Sequence, residues 1–327
     1  MADARATLIP HSLGLGLMSC FHTLGTPRNL YSSLIWNADE GARFSPPKAN
    51  KNINYGSGRL ASPSPTPPLL THGTTLGIIG GLSVNATLTF LTKLVHLHGG
   101  HSIPFVLCSD PLLNKDLLSY ERGHFVSATS KKSECLKLDS SPIVQNLRNK
   151  RAFLENSGAS CIVMPCNISH CWYEQVSMGC CVPILHMAEC VAKELKEAKL
   201  KPLEAGSPLR IGVLATNATL EAGFYQEKLQ SEGFEVVLPD KATMEHTVIP
   251  ATEALNRNDM EGACNLLRIA LQVLLVRAVN SVILASEDMR ALLPQDDPLL
   301  KKCIDPMDAL ARSTMKWVRS RSSGDNT

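Results

Sequence analysis

The stretch GASCIVMPCNISHCW, Gly158 to Trp172, runs from a short apolar segment through Pro165 into Cys166-Asn167, and AVNSVILASEDMRAL, Ala278 to Leu292, repeats its pattern later in the chain. In this register Cys166 falls on Ser286. The segments that follow keep it: Met187 in VPILHMAE and Met307 in CIDPMDAL lie 21 residues beyond Cys166 and Ser286 respectively. Upstream, LGIIGGLSVNATLTFLTKL from Leu76 pairs with IGVLATNATLEAGFYQEKL from Ile211, each an apolar run, a small-residue turn, Asn-Ala-Thr and an amphipathic stretch. Two such halves predict two similar lobes, with a cleft between them as the place for a ligand.

Between these landmarks short apolar runs alternate with longer amphipathic ones, which predicts an α/β fold with mainly parallel sheets. The strands are expected at LGIIG, IPFVLC, CIVMP, VPIL, RIGVLA, FEVVL and SVILAS. SPIVQNLRNKRAFLEN reads as a helix capped by Ser141 with Pro142 at its first position, and apolar Val144, Leu147 and Leu154 at helical spacing. GACNLLRIALQVLLVRAVN is apolar around most of its circumference, so a largely buried helix is expected.

The 32 basic and 30 acidic residues nearly balance, which argues against a protein held to nucleic acid through phosphate contacts. No apolar run approaches the length of a membrane span. The odd count of 11 cysteines, set mostly on apolar segments, suggests free thiols in a reducing compartment; no CxxC pair or zinc-like His/Cys spacing occurs. Up to Trp36 the sole acidic residue is Asp3, while arginines and hydroxyl residues recur. That composition reads as an organelle transit peptide, with a cytosolic extension as the alternative. SPSPTPP, Ser62 to Pro68, makes a stiff linker. The expected organisation is residues 1–75 as leader and linker, 76–186 as the first lobe joined by a C-terminal helix over 306–320, 187–305 as the second lobe, and 321–327 as a disordered tail.

Three places bear chemistry. Gly77, Gly80 and Gly81 form a turn after a strand, where backbone amides could meet an anion or simply turn the chain. It lacks the third glycine of a dinucleotide fingerprint, so an oxidoreductase reading has little else to rest on. Cys166 follows a strand-stopping proline at a helix entry, a position that favours thiolate, with Asn167 able to donate to a substrate oxygen and His170 one turn on; burial in the core is the alternative. Ser286 takes the matching strand end with Glu287 and Asp288 behind it, read either as a helix cap or as a group facing Cys166 across the cleft, with an acid to assist proton transfer.

Taken together, GIIGGLS...AT, MPCN..H, LATNATLEAGFY and IDPMD, in this order, resemble the cofactor-independent aspartate/glutamate racemase superfamily, most closely its aspartate racemase branch, over about Leu76 to Val318. The resemblance implies two pseudo-two-fold-related α/β lobes with the active site between them, a homodimer, and a small molecule, an amino acid or related carboxylate, as the partner. It implies no cofactor: one thiolate removes the α-proton and a second thiol delivers a proton to the opposite face. On the matching motifs it assigns catalysis to Cys166 and the Ser286 position, and substrate contacts to Gly81, Ser83, Thr87, Asn167, Ile168, Thr216, Thr219 and Glu287, with His170, Lys115 and Asp288 as further candidates.

The departures are specific. Gly-Cys-Thr-Glu of the family is Ala285-Ser286-Glu287-Asp288 here, so the second cysteine is missing. Asp116, beside Lys115, stands near the place of a substrate-binding arginine, and Glu245 stands in place of a lysine. The sequence therefore predicts an amino-acid racemase or epimerase type of isomerase, with a one-cysteine decarboxylase or isomerase, or an inactive binding protein, as alternatives. A plastid is the expected location and the cytoplasm the alternative.

Overall fold

The computed structural model describes residues 34–37, 73–101, 103–129, 139–203 and 206–322, all within one compact unit, Ser33–Thr327. The rest of the leader, the SPSPTPP linker and residues 323–327 lie outside the described residues.

The first lobe is built from β1 (Leu34–Asn37), β2 (Leu76–Ile79), α1 (Val84–Leu97), β3 (Phe105–Ser109), α2 (Pro111–Thr129), α3 (Ser141–Asn156), β4 (Cys161–Val163), α4 (Tyr173–Ser177) and β5 (Ile184–Leu185). α5 (Met187–Glu197) leads to the second lobe: β6 (Arg210–Ala215), α6 (Asn217–Ala222), α7 (Phe224–Ser231), β7 (Glu235–Val237), α8 (Lys241–Thr243), α9 (Ile249–Asn256), α10 (Met260–Val276), β8 (Ser281–Ala285), α11 (Glu287–Leu292) and β9 (Cys303–Ile304). α12 (Pro306–Ser322) closes the chain.

Both sheets are parallel throughout, because each crossover is long enough to carry a helix back across the sheet. Their orders are β1-β3-β2-β4-β5 and β7-β6-β8-β9. Without β1 the two coincide, β2 answering β6 and β4 answering β8, as the repeat predicts. β1 and β9 were not foreseen: Leu34-Ile35-Trp36 lies ahead of the expected boundary at Thr75 yet pairs in register with Val106 to Cys108. All seven predicted strands form, although VPIL contributes just Ile184-Leu185.

Two helix expectations change. Ser141 is the first residue of α3 rather than its cap; the position before it is Ser140, and the Asp139 carboxylate accepts the Ser141 N–H at 2.9 Å. α10 buries a stripe of Ala263, Leu267, Ala270, Leu271 and Leu274, while Ile269 and Val276 face outward, so its apolar circumference exceeds what the lobe covers.

One core joins the lobes. Leu76 and Phe90 from the first, Ile211 and Tyr225 from the second, and Met187, Leu310 and Met315 from the helices between them belong to the same buried cluster. Met187 and Met307, the paired methionines of the repeat, are both buried at helix starts. α12 packs on α1 and α5, tying the C-terminus to the first lobe. Lys93 of α1 adds ion pairs to Asp305 and Asp308 beside it. All described cysteines are free thiols, and no described helix is long and apolar enough to cross a membrane.

Candidate active site

At the carboxyl ends of the central strands the lobes face each other across a cavity of about 240 Å³. Leu82, Ser83, Leu118, Glu121 and Arg122 line it from the first lobe; Thr216, Asn217, Met244, Val248, Thr252, Asn256, Glu287 and Asp288 line it from the second. A neighbouring cavity of about 330 Å³ shares Ser83, Glu287 and Asp288 and opens toward Lys93, Arg290 and Asp305. This is where open α/β sheets bind ligands, outside the strand ends.

Cys166 sits just past β4, 2 % exposed, one layer behind the wall formed by Leu82. The Leu82 N–H donates to its Sγ at 3.3 Å. Gly81 makes that approach possible: a Cβ there would lie 2.1 Å from the Cys166 Cβ and 2.3 Å from Sγ, so no larger residue fits without moving the thiol. Gly80, in turn, lies against the Cys108 carbonyl and Thr87 Oγ1. The glycine turn thus serves to admit the thiol.

The expectation of an easily formed thiolate is overturned. Burial pushes the Cys166 thiol up to about 12, Glu287 adds to the rise, and the Leu82 N–H offsets little of it. The helix entry is too small to compete, since the residues after Asn167 form a five-residue 3-10 turn, Ile168–Trp172.

Asn167 links the lobes. Its Nδ2 and its backbone N–H donate to Glu287 Oε1 at 3.1 and 3.4 Å, and the buried Tyr225 hydroxyl donates to its Oδ1 at 2.7 Å. Burial raises the Glu287 carboxyl to about 7; its own and the Asn167 backbone N–H groups oppose this, while Asp288 and Glu121 add to it. Burial also raises Glu121, with the Thr216 hydroxyl, which donates to Oε1 at 2.9 Å, opposing and Asp288 reinforcing. Asp288 is raised by burial. The cavity is a site of crowded carboxyl groups.

Of the residues singled out in the sequence, Ser83, Thr216, Glu287 and Asp288 line the cavity, and Gly81, Cys166 and Asn167 stand directly behind it. Thr87 and Thr219 are buried supports, the first donating to the Ser83 carbonyl and the second bonded to the Thr216 hydroxyl. Ser286 is 9 % exposed, lines neither cavity, and occupies the α11 cap position without making a side-chain cap bond.

The others lie elsewhere. Ile168 is in the first-lobe core. His170 does not turn back toward the cleft: its Nε2 meets the Met164 carbonyl at 3.0 Å, and its ring joins His186, Tyr173 and Phe224 in an aromatic cluster. Burial, with His186 adding, drives it down to about 3, so it is neutral. Lys115 is on the exposed face of α2, and Asp116 borders a separate surface hollow. Glu245 is exposed and paired with Lys241 at 3.6 Å.

Sequence reasoning missed Glu121, Arg122 and Tyr225. Leu118, Glu121 and Arg122 sit at i, i+3 and i+4 on α2, a single helix face, which was the available signal. Tyr225 lies within LATNATLEAGFY, where its spacing carries no signal of a polar role. Among the described residues no group of His, Cys, Asp and Glu is arranged to hold a metal.

A family model described as Asp/Glu/Hydantoin racemase matches residues 79–314. The broad specificity amino-acid racemase RacX of Bacillus subtilis is 33 % identical over 87 residues, covering 27 % of this chain and 34 % of that protein. The aspartate racemase of Picrophilus torridus superposes with a TM-score of 0.56 at 24 % identity, over 75 % of this chain and 94 % of its own. An aspartate racemase homologue from Pyrococcus horikoshii gives 0.58 at 19 % identity, over 75 % and 99 %. At these identities the structural matches speak for the two-lobed fold.

Proposed function

The chain belongs to the Asp/Glu/hydantoin racemase family, and from that premise we propose that it is a cofactor-independent isomerase acting at the α-carbon of an amino acid or related carboxylate, with Cys166 as the principal acid/base thiol. One observation carries this reading: the chain keeps a glycine at position 81, where any side chain would strike Cys166, and so reserves the space against Leu82 for the thiol at the edge of an inter-lobe cavity. Reaching Sγ requires the Leu82 wall to yield as the substrate enters, the kind of closure and opening common at such sites.

The lining argues for a substrate with a neutral or basic side chain. Glu121, Glu287 and Asp288 would repel a dicarboxylate and attract an amino group, Arg122 offers a fork for the α-carboxylate, and Leu118, Met244 and Val248 supply an apolar wall. Incubation in deuterium oxide with amino acids of acidic, neutral and basic side chains tests both parts. Loss of the α-hydrogen signal is expected with the latter two classes, and formation of the opposite enantiomer is expected to vanish in Cys166→Ala; no exchange with any of the amino acids contradicts the proposal.

The buried Ser286 in place of a second thiol favours one further reading, one-thiol decarboxylation with single-sided protonation, which release of carbon dioxide would reveal. A homodimer and plastid targeting belong to the same proposal. Val84, Leu88 and Val95, exposed on one face of α1, are consistent with a dimer, which sedimentation tests; a fluorescent fusion to residues 1–75 tests the targeting.

A further inference from the structure

Resting on the reading of Cys166 as an acid/base thiol, we propose that Glu287 is its proton-transfer partner, supplying from the second lobe the role left vacant by the missing second cysteine.

The placement is the first argument. Glu287 begins α11 directly after Ser286, at the end of β8, and β8 is the strand that answers β4 and Cys166. Its side chain crosses to the first lobe and accepts both N–H groups of Asn167, the residue next to the thiol. Tyr225 fixes which way the Asn167 amide points, because its hydroxyl donates to Oδ1 and leaves Nδ2 for Glu287. Glu287 lines both cavities, whereas Ser286 lines neither. A hydroxyl is also far too weak an acid to stand in for a thiol, and a carboxyl is not.

The second argument is charge. Glu287 is faced by Glu121 from α2, Asp288 on its own helix, Cys166, and Tyr225 from α7; Arg122 stands on the rim of one cavity, and Lys93, Arg290 and Asp305 on the other. In this setting the carboxyl changes state near neutrality while the thiol stays protonated. The pair therefore works with a carboxylate base and a thiol acid. The carboxylate takes the α-proton, and the C–H electron pair stays on the substrate as its carbanion. The thiol S–H then gives its proton to that carbon, leaving a thiolate. Passage of the proton from the Glu287 carboxylic acid to the thiolate, directly or through water, restores the starting state.

The test follows α-hydrogen exchange by the full chain in deuterium oxide, with a neutral amino acid, from about pH 5 to about pH 10. The wild type should rise through about 7 and then stay level. Glu287→Gln, which keeps the shape and the acceptor oxygen, should lose about 100-fold or more together with that pH limb, and Glu287→Asp should retain the limb. Ser286→Ala should stay within several-fold of wild type. An active Glu287→Gln that keeps the limb, a wild-type rate still climbing between about pH 8 and about pH 10, or loss in Ser286→Ala alone would overturn this proposal and leave the Cys166 reading standing. A folded wild type that exchanges nothing, while Glu287 still titrates near neutrality, would defeat the parent reading and this one with it.

Discussion

Asp110, at the end of β3, and Glu287, after β8, are carboxyl groups at strand ends in the two lobes, and their surroundings hold them in opposite states. Burial alone would raise Asp110, but the Lys150 ammonium at 2.6 Å, the Asn146 amide at 2.9 Å and the Leu112 N–H at 2.9 Å outweigh it and hold the group below the usual carboxylate range. Glu287 has its Asn167 donors on a single oxygen and faces other acids, so burial prevails. A carboxylate given a lysine is a structural joint; one kept among acids responds to pH where a catalyst operates.

Removing the lysine should have the largest effect. Lys150→Met leaves Asp110 buried without its cation and should cost about 3–5 kcal/mol in denaturant unfolding near neutral pH. Because Asp110 is depressed in the folded chain, the pair's contribution is present above the ordinary carboxylate range and is lost as pH falls through the lowered value. The Lys150→Met penalty should accordingly shrink in acid.

At Glu287 the sign reverses. Its carboxyl is raised from 4.5 to about 7, so the folded state prefers the protonated form, and stability present below 4.5 is lost as pH rises through about 7. Glu287→Gln should therefore stabilise the protein by up to about 3 kcal/mol at alkaline pH and little in acid, read by thermal denaturation on either side of neutrality.

Gly81→Ala probes the thiol beside it. The new methyl meets Cys166 at a distance real atoms do not adopt, and overpacking should cost about 1–3 kcal/mol, with α-hydrogen exchange falling as Sγ is displaced. Glu121→Gln should be mildest: it keeps an acceptor for Thr216 while removing a like charge, so the pH midpoint of exchange should move down with little change in unfolding.

Much of this was legible. The repeat fixed the equivalence of β4 with β8, and hence of Cys166 with Ser286, because in α/β lobes strand ends and turns carry strong local signals in Pro165 and the glycines. The short strands β1 and β9 were not, since two to four apolar residues have no period to read. The thiol's state was misjudged because proximity to a helix entry is visible in sequence and complete burial is not. Glu121 and Tyr225 come to the site from elements distant in the chain, so tertiary packing alone unites them with Asn167 and Glu287. His170 was drawn in by nearness in sequence and belongs instead to the packing beneath the cleft.

The central claim, that Glu287 is poised to change protonation near neutrality while Asp110 is not, can be read directly from carbon NMR of the side-chain carboxyls in labelled protein, with Glu287→Gln identifying the resonance. A Glu287 titration centred near 7, with Asp110 ionised throughout, is the predicted result. A Glu287 carboxyl titrating at or below its ordinary 4.5 would contradict it.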